Sequence, residues 1–154
     1  MEQYIGTKLI EAEPMTLAGY CRAIKQEFSP EDEKVAGYMV RYADGYISWS
    51  PKEAFDEAYR KTAGGMRFGE AIEMAKRGHR ITRKGWNGKG MFVVYQKGYP
   101  DGIPCNKQTA IAFGYKEGDL FKCRPYLQMR CADGTHQMWL ASQSDILEED
   151  WIIV

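Results

Sequence analysis

The chain lacks several features that would place it in a common functional class. No apolar run among its 154 residues approaches the ~20 residues that a membrane-spanning helix needs, so we expect no membrane association. The first residues, MEQYIGTKLI, lack the charged start and apolar core of a signal peptide, which predicts a cytoplasmic protein. The formal net charge is zero, whereas a duplex nucleic-acid binder usually shows a basic excess, so we expect no DNA or RNA partner.

Metal-ligand and catalytic motifs are equally scarce. The chain has only two histidines, His79 and His136, and no Cys-x-x-Cys pair among its four cysteines. The cysteines are Cys21, Cys105, Cys123 and Cys131. There is no Gly-x-Ser-x-Gly elbow and no His-Glu-x-x-His motif. We therefore expect cysteines that act as small buried apolar residues, no metal or cofactor, and no enzymatic activity.

The length suits one ordinary domain or two small ones, and one segment indicates a boundary. The stretch 62–65 (TAGG) follows a helical pattern and precedes Met66. This predicts a small N-terminal module at 1–62 and a second module at 66–154. Both modules combine helix and strand patterns, so the predicted fold class is α+β.

The first module is predicted to hold two helices and a hairpin. In chain order its elements are an extended segment at 4–10, a helix at 17–28 capped by Thr16, a solvated loop at 29–34, a hairpin at 37–50 that turns at Ala43-Asp44-Gly45, and a helix at 51–61 begun by a capping box of Ser50 and Glu53.

The second module is predicted to be a helix followed by hairpins. Its elements are a helix with Phe68, Ile72 and Ala75 on one face and Gly78 at its end, a strand at 79–86, a two-residue turn at Asn87-Gly88, a returning strand at 91–97, an irregular excursion at 98–118, a hairpin at 124–142 that turns at Asp133-Gly134, a helical turn at 145–149 capped by Ser142 and Asp145, and a final strand at 150–154. In the second hairpin Tyr126, Gln128 and Arg130 alternate with Leu127, Met129 and Cys131.

The stretch 85–92 (GWNGKGMF) is the most distinctive loop of the chain. It does not fit a P-loop, because Lys84 stands where a glycine is needed and Gly90 follows Lys89. Its aromatics suit nucleobase stacking, and the neighbouring Arg83 and Lys89 suit phosphates. The alternative is that Trp86 and Phe92 are core residues of a hairpin and that Lys89 is a solvated charge.

The second module resembles a known family of phage proteins. The stretch 66–92 (MRFGEAIEMAKRGHRITRKGWNGKGMF) is similar to the opening of the second Thoeris anti-defence family, and 124–154 is similar to its ending. The specific elements are GWNGKGMF, an ADG turn, WLASQSD and a terminal EDW. The resemblance covers nearly all of the second module. The first module resembles small phage proteins without an assigned role.

The resemblance implies a fold, a function and an assembly. The implied fold is a helix packed beside a twisted antiparallel sheet. The implied function is a sponge that holds the cyclic ADP-ribose-type signal of the Thoeris system, and in some members cyclic dinucleotides, without degrading it. The signal is thereby denied to its effector in the cytoplasm of the infected host. The implied assembly is a homotetramer with pockets where subunits meet.

Ligand-binding residues follow from the matched blocks and from the nucleotide-binding composition of the loop. We expect them to be Arg83, Trp86, Asn87, Lys89, Phe92, Arg124, Tyr126, Trp139, Ser142, Gln143 and Asp145. Each has a plainer alternative: Trp139 as a core residue, or Ser142 and Asp145 as a helix cap. One departure is Arg67, which stands where a capping Ser, Thr, Asp or Asn is expected before the helix.

Two other functions remain open at this point. An enzyme that degrades the signal would need a metal held by acidic residues, and the candidates are Asp133, Asp145, Glu148, Glu149 and Asp150. A protein-interaction module would use the tryptophans as interface anchors. Recovery of an altered ligand would indicate an enzyme, whereas recovery of intact ligand would indicate a sponge. Binding to a protein instead of a nucleotide would indicate an interaction module.

Overall fold

The computed structural model describes all residues, Met1–Val154, and they form two compact units. The first is Met1–Arg60 and the second is Lys61–Val154. The division lies just before the stretch 62–65 in which a boundary was predicted. Both units mix helices with antiparallel strands, which confirms the α+β class. No helix is long and apolar enough to cross a membrane.

The first unit is a three-stranded antiparallel sheet with short helices. Its elements are β1 Glu11–Thr16, α1 Leu17–Ala23, a 3-10 helix Pro30–Lys34, β2 Ala36–Arg41, β3 Ile47–Pro51 and α2 Lys52–Ala58, with the strands in the order β1-β2-β3. The Thr16 cap is confirmed, since its hydroxyl accepts the Gly19 N–H at 3.1 Å. The predicted hairpin turn is also confirmed, because Gly45 has a positive φ and donates to the Tyr42 carbonyl.

Four expectations for this unit are wrong in detail. Residues 4–10 form no strand, and the strand lies at β1, whose edge position tolerates Pro14. The first helix ends at Ala23 because Lys25 takes a left-handed φ of 59°. The expected loop at 29–34 contains the 3-10 helix. Ser50 does not cap α2, because it pairs with Tyr38 in the sheet and Pro51 precedes the first helical residue.

The second unit is a five-stranded antiparallel sheet with one long helix on it. Its elements are α3 Phe68–Lys76, β4 Ile81–Arg83, β5 Phe92–Gln96, β6 Tyr99–Pro104, α4 Lys107–Phe113, β7 Leu120–Cys123, β8 Tyr126–Arg130, β9 His136–Met138, α5 Gln143–Leu147 and β10 Trp151–Ile153. The main sheet has the order β10-β4-β5-β8-β9, and β6 pairs with β7 in a separate ribbon.

The core of the second unit lies between α3 and one face of the main sheet. Ala71, Ala75, Ile81, Val93 and Trp151 are almost fully buried there. The expected helix face is confirmed, since Phe68 and Ile72 pack against this cluster. The alternation in β8 is confirmed as well, because Leu127, Met129 and Cys131 contact the core.

The local signals at the helix ends and turns are confirmed. Gly78 has a φ of 96° after α3, and Gly134 has a φ of 86° in the turn between β8 and β9. Asp145 N–H donates to the Ser142 hydroxyl at 3.2 Å, and Ser142 N–H donates to the Asp145 carboxylate at 3.0 Å. Arg67 precedes α3 without a side-chain cap, but its backbone N–H donates to Glu70 at 2.7 Å.

Two expectations for the second unit are wrong. Residues 98–118 are not irregular, because they contain β6 and α4, which Asn106 caps at its start and Gly114 ends with a φ of 72°. Asn87-Gly88 is not a two-residue turn, because β4 and β5 are joined by the eight residues 84–91, called here the glycine loop. Gly90, with a φ of 70°, takes the left-handed conformation instead.

The stretch 62–65 is paired with the main sheet. Ile153 N–H donates to the Thr62 carbonyl at 3.0 Å, and Met66 and Trp151 exchange two backbone hydrogen bonds. This pairing covers the outer edge of β10. The four cysteines are free, and only Cys21 and Cys105 are buried, so the expectation of buried cysteines is met at two positions.

Two glycines in the ribbon region give a matched test of backbone crowding. Gly98 and Gly114 both have a positive φ, but a Cβ at Gly98 would lie 2.5 Å from the Cys123 carbonyl oxygen, whereas Gly114 has open space. We expect Gly114→Ala to lower the free energy of unfolding by ~1 kcal/mol and Gly98→Ala by ~1–3 kcal/mol more. Urea denaturation checks this, and equal losses would show that the crowding at Gly98 is relieved at no cost.

Candidate functional site

One face of the main sheet is buried under α3, and the other face is not covered by this helix. Ile81, Val93 and Met129 are in register across β4, β5 and β8 and face the core under α3. Because side chains alternate along a strand, Thr82 and the directly paired Phe92 and Arg130 lie on the opposite face. This second face carries polar and charged groups, which makes it the candidate ligand-binding face.

A groove of about 590 Å³ lies on that open face. Its walls include Arg80, Thr82, Phe92 and Arg130, together with Gly88, Gly90 and Met91 of the glycine loop. We call it the basic groove. Its size falls within the ~300–1,000 Å³ of small-molecule sites, and it combines an aromatic ring with donors that suit an anion.

Two guanidinium groups give the basic groove its charge. Arg80 lies over the Phe92 ring, 5.1 Å from the ring centre. Arg130 donates to the Gly90 carbonyl at 2.9 Å. Neither side chain forms a salt bridge. The pKa of Asp133 is lowered mainly by hydrogen bonds from Thr135, and the charge of Arg130 makes a smaller contribution. Both guanidinium groups therefore retain donors for a phosphate.

The glycine loop approaches the basic groove where side chains would not fit. A Cβ at Gly88 would overlap the Met91 side chain and lie 3.0 Å from the Ala132 Cβ. Gly90 needs its left-handed φ of 70°. These two glycines allow the loop backbone to form one wall of the groove.

The zero net charge of the chain conceals an uneven distribution. Lys61–Val154 contains 14 Lys and Arg against 10 Asp and Glu, whereas Met1–Arg60 contains 7 against 11. The second unit is therefore basic by four charges. A local excess of this kind favours an anionic ligand, which the total charge of the chain did not suggest.

A second polar cluster lies at the root of the glycine loop. We call it the Arg83 cluster, and it comprises Arg83, Trp86, Asp145 and Asp150. Arg83, only 10% exposed, donates to Asp150 at 2.7 Å and to Asp145 at 2.9 Å. Since two carboxylates pair with this guanidinium, its charge is neutralised even though its side chain borders the basic groove.

The Trp86 indole is also held within the protein. Its N–H donates to Asp145 at 3.0 Å. Its ring meets Trp139 and Trp151 edge to face, with centroids 5.9 and 5.4 Å apart. Trp139 makes a similar contact with Phe68. Trp86 and Trp139 are both half-buried and pack against the core, as in the plainer alternative for these rings.

The carboxylates of the Arg83 cluster have shifted pKa values. Burial alone would raise the pKa of Asp145, but hydrogen bonds from Ser142, Trp86 and Arg83 outweigh it and lower the pKa from 3.8 to about 2. Burial opposes the same effect at Asp150, where Arg83 and the Gly85 N–H lower the pKa. Both groups are thus held as carboxylates, which fixes the positive partner between them.

The structure places the expected ligand residues at several positions on the second unit. Phe92 lies in the basic groove, and Arg83 borders it. Trp86 and Trp139 pack against the core, and Ser142, which is exposed, is hydrogen-bonded to the buried Asp145. Asn87 and Lys89 are exposed on the glycine loop, Gln143 is exposed at the start of α5, and Arg124 is exposed before β8. Tyr126 begins β8, ~13 Å along the strand from Arg130.

Sequence reasoning missed three residues of the basic groove, Arg80, Thr82 and Arg130. Their signal was present in the alternation of the strands. Buried Ile81 sets the phase of β4, and buried Met129 sets that of β8, so the residues beside them face the other way. The expected set instead included the tryptophans Trp86 and Trp139, whose rings pack against the core.

The acidic residues considered for a metal are engaged elsewhere. Arg83 pairs with Asp145, Asp150 and, at 3.9 Å, Glu148, and Arg67 pairs with Glu149 at 3.0 Å. Asp133 accepts two hydrogen bonds from Thr135. No three side chains of histidine, cysteine, aspartate or glutamate converge on a point suited to a metal ion.

Comparison with known proteins places this unit in a family. A family model described as the Thoeris anti-defense 2-like domain matches residues 66–154. A curated protein named Thoeris anti-defense 2, from Bacillus phage SP01, is 35% identical over 92 residues, which are 58% of this chain and 94% of that protein. The chain belongs to the Thoeris anti-defense 2-like family. Its role is therefore in phage anti-defence, and residues 1–65 lie outside the matched domain.

Substitution of Trp86 tests its packing role in the Thoeris anti-defense 2-like domain. We expect Trp86→Ala to lower the free energy of unfolding by ~3 kcal/mol, because it removes two aromatic contacts and a donor to a buried carboxylate. Trp86→Phe should cost only ~1 kcal/mol, because it keeps a ring. Thermal denaturation checks both. An unchanged melting temperature in Trp86→Ala would show that the ring is free for a ligand.

The pKa of Asp145 predicts an acid-sensitive contribution to stability. Because its pKa is about 2 in the folded chain and 3.8 ordinarily, this contribution is present above about pH 4 and is lost as the pH falls toward 2. It amounts to ~2 kcal/mol. Urea denaturation at a series of pH values should show a steeper loss in the wild type than in Asp145→Asn. Equal slopes would contradict the low pKa.

Proposed function

We propose that the Thoeris anti-defense 2-like domain of this chain binds an anionic nucleotide immune signal and holds it without degrading it. The ligand class is a cyclic ADP-ribose-type signal or a cyclic dinucleotide. The protein would act in the cytoplasm of the infected bacterium, where removal of the free signal keeps the defence effector inactive. The observation that carries this proposal is the basic groove, with two guanidinium groups outside any salt bridge beside an aromatic ring.

The chemistry of the basic groove suits binding. Arg80 and Arg130 provide charge-assisted hydrogen bonds to phosphate oxygens, and Thr82 adds a hydroxyl. The Phe92 ring provides apolar contact for a base or ribose. The charged side chains that line the groove are arginines, which supply hydrogen-bond donors and no acceptor. These groups support retention of a ligand, and the proposal includes no chemical step.

Sequestration also requires tight binding. A nanomolar dissociation constant corresponds to ~12 kcal/mol, which is a large demand on a groove that is open on one side. A second copy of the chain placed over the groove would exclude water and strengthen each charged contact. We therefore include a homo-oligomer, with a tetramer as the expected form, in the proposed function.

A capture-and-release experiment tests the proposed function. The protein is mixed with a cyclic ADP-ribose-type signal or with cyclic dinucleotides, freed of unbound ligand and heated, and the released molecule is identified by mass spectrometry. We expect intact ligand in stoichiometric amount. An altered ligand would indicate an enzyme. No retained ligand would reject the proposal and favour a protein partner.

The two groove arginines provide the sharper variant test. We expect Arg80→Gln and Arg130→Gln each to weaken nucleotide binding by ~10–100-fold, the value of one charge-assisted hydrogen bond, with little change in melting temperature. Lys107→Gln removes the same charge from the start of α4, outside the groove, and should bind like the wild type. Isothermal titration calorimetry measures all three. Wild-type affinity in both arginine variants would place the ligand elsewhere.

A further inference from the structure

The terminal motif Glu149-Asp150-Trp151 contains a carboxylate that the basic groove does not use. Asp150 lies just before β10, and its side chain is 26% exposed. It accepts from Arg83 Nε at 2.7 Å and from the Gly85 backbone N–H at 2.8 Å. Its carbonyl also accepts the Lys84 N–H at 3.2 Å. One residue thus fixes the first two residues of the glycine loop.

The neighbouring carboxylate fixes the third residue of the loop. Asp145 accepts from the Trp86 indole N–H, and Arg83 bridges the two carboxylates. At the other end of the loop, Gly90 accepts from Arg130. The loop is therefore bonded to the Arg83 cluster at its first residues and to a side chain of the basic groove near its last residue.

The close approach of Gly85 to Asp150 is possible only because residue 85 has no side chain. A Cβ at Gly85 would lie 2.8 Å from the Asp150 carboxylate oxygen. Gly85 does not have a positive φ, so the backbone itself would accept alanine. The carboxylate is the group that leaves no room for a side chain at this position. The Gly85–Asp150 contact can thus be broken from either side.

From this geometry we infer that Asp150 is a positioning residue for the nucleotide site. Through Gly85 and Arg83 it holds the glycine loop in the conformation that lines the basic groove, although it does not touch the ligand. The inference rests on the proposed function for its ligand, but the loop conformation can be measured without one. Asp150 is a better probe than Asp145, because Asp145 also caps α5.

Hydrogen exchange measured by mass spectrometry tests the loop directly, with no ligand present. We expect amides of residues 86–91 to exchange roughly tenfold faster in Asp150→Ala, while α3 and β5 keep their wild-type exchange. The matched control is Glu148→Gln, because Glu148 is 57% exposed and lies 3.9 Å from the same guanidinium. Unchanged exchange of the loop in Asp150→Ala overturns the inference.

A double-mutant cycle assigns the effect to the Gly85–Asp150 contact. Gly85→Ala alone should also speed exchange of the loop, because its Cβ displaces the carboxylate. In the Asp150→Ala background, Gly85→Ala should add little, because the obstructing group is gone. Additive effects would show that the two residues act separately and would overturn the inference.

The ligand arm separates this inference from the proposed function. With a cyclic dinucleotide or a cyclic ADP-ribose-type molecule as the probe, Asp150→Ala should bind about tenfold more weakly than the wild type, and Glu148→Gln equally well. A mobile loop with wild-type affinity overturns the positioning role. If the wild type binds neither molecule, the proposed function is rejected, and with it the positioning of a ligand. The exchange data would still decide whether Asp150 holds the loop.

Discussion

The structure of the second unit depends on the two short ion pairs of Arg83, those with Asp145 and Asp150. The guanidinium comes from β4, Asp145 from α5, and Asp150 from the residue before β10, so one side chain joins three parts of the fold. Because the group is almost buried, removal of Arg83 itself would leave two carboxylates without their cation, and breaking a buried pair in this way typically costs ~3–5 kcal/mol. The glycine loop and the Trp86 ring attach to the same carboxylates. The loop that borders the basic groove is thus fixed from the core side.

The two faces of the main sheet differ in composition and burial. The face under α3 holds Ile81, Val93 and Trp151, which are fully buried and stabilise the unit by the hydrophobic effect. The other face holds Arg80 and Arg130, whose charges are outside any salt bridge. Because side chains alternate along each strand, residues on the open face can change without disturbing the core.

Much of the fold could be predicted from the sequence, but only Phe92 and Arg83 of the groove lining were among the expected site residues. Thr16, Gly78 and the Ser142–Asp145 box act within a few residues, so local patterns located the helix ends. The ribbon of β6 and β7 was missed because its strands pair around α4 and show no strong alternation. Ser50 was misplaced because pairing with Tyr38 takes precedence over a local cap. The groove was missed because it needs β4, β5 and β8 side by side.

The sequence by itself determined the α+β class, the capped helices, the Asp133-Gly134 turn and membership of the Thoeris anti-defense 2-like family. Only the tertiary structure decided what the conspicuous residues do. Trp86 and Arg83 have the chemistry of nucleotide ligands, but their partners Asp145 and Asp150 lie 59 and 67 residues away in the chain. Such distant carboxylates fix these two side chains within the fold, whereas Arg80 and Arg130, which line the basic groove, are outside any salt bridge.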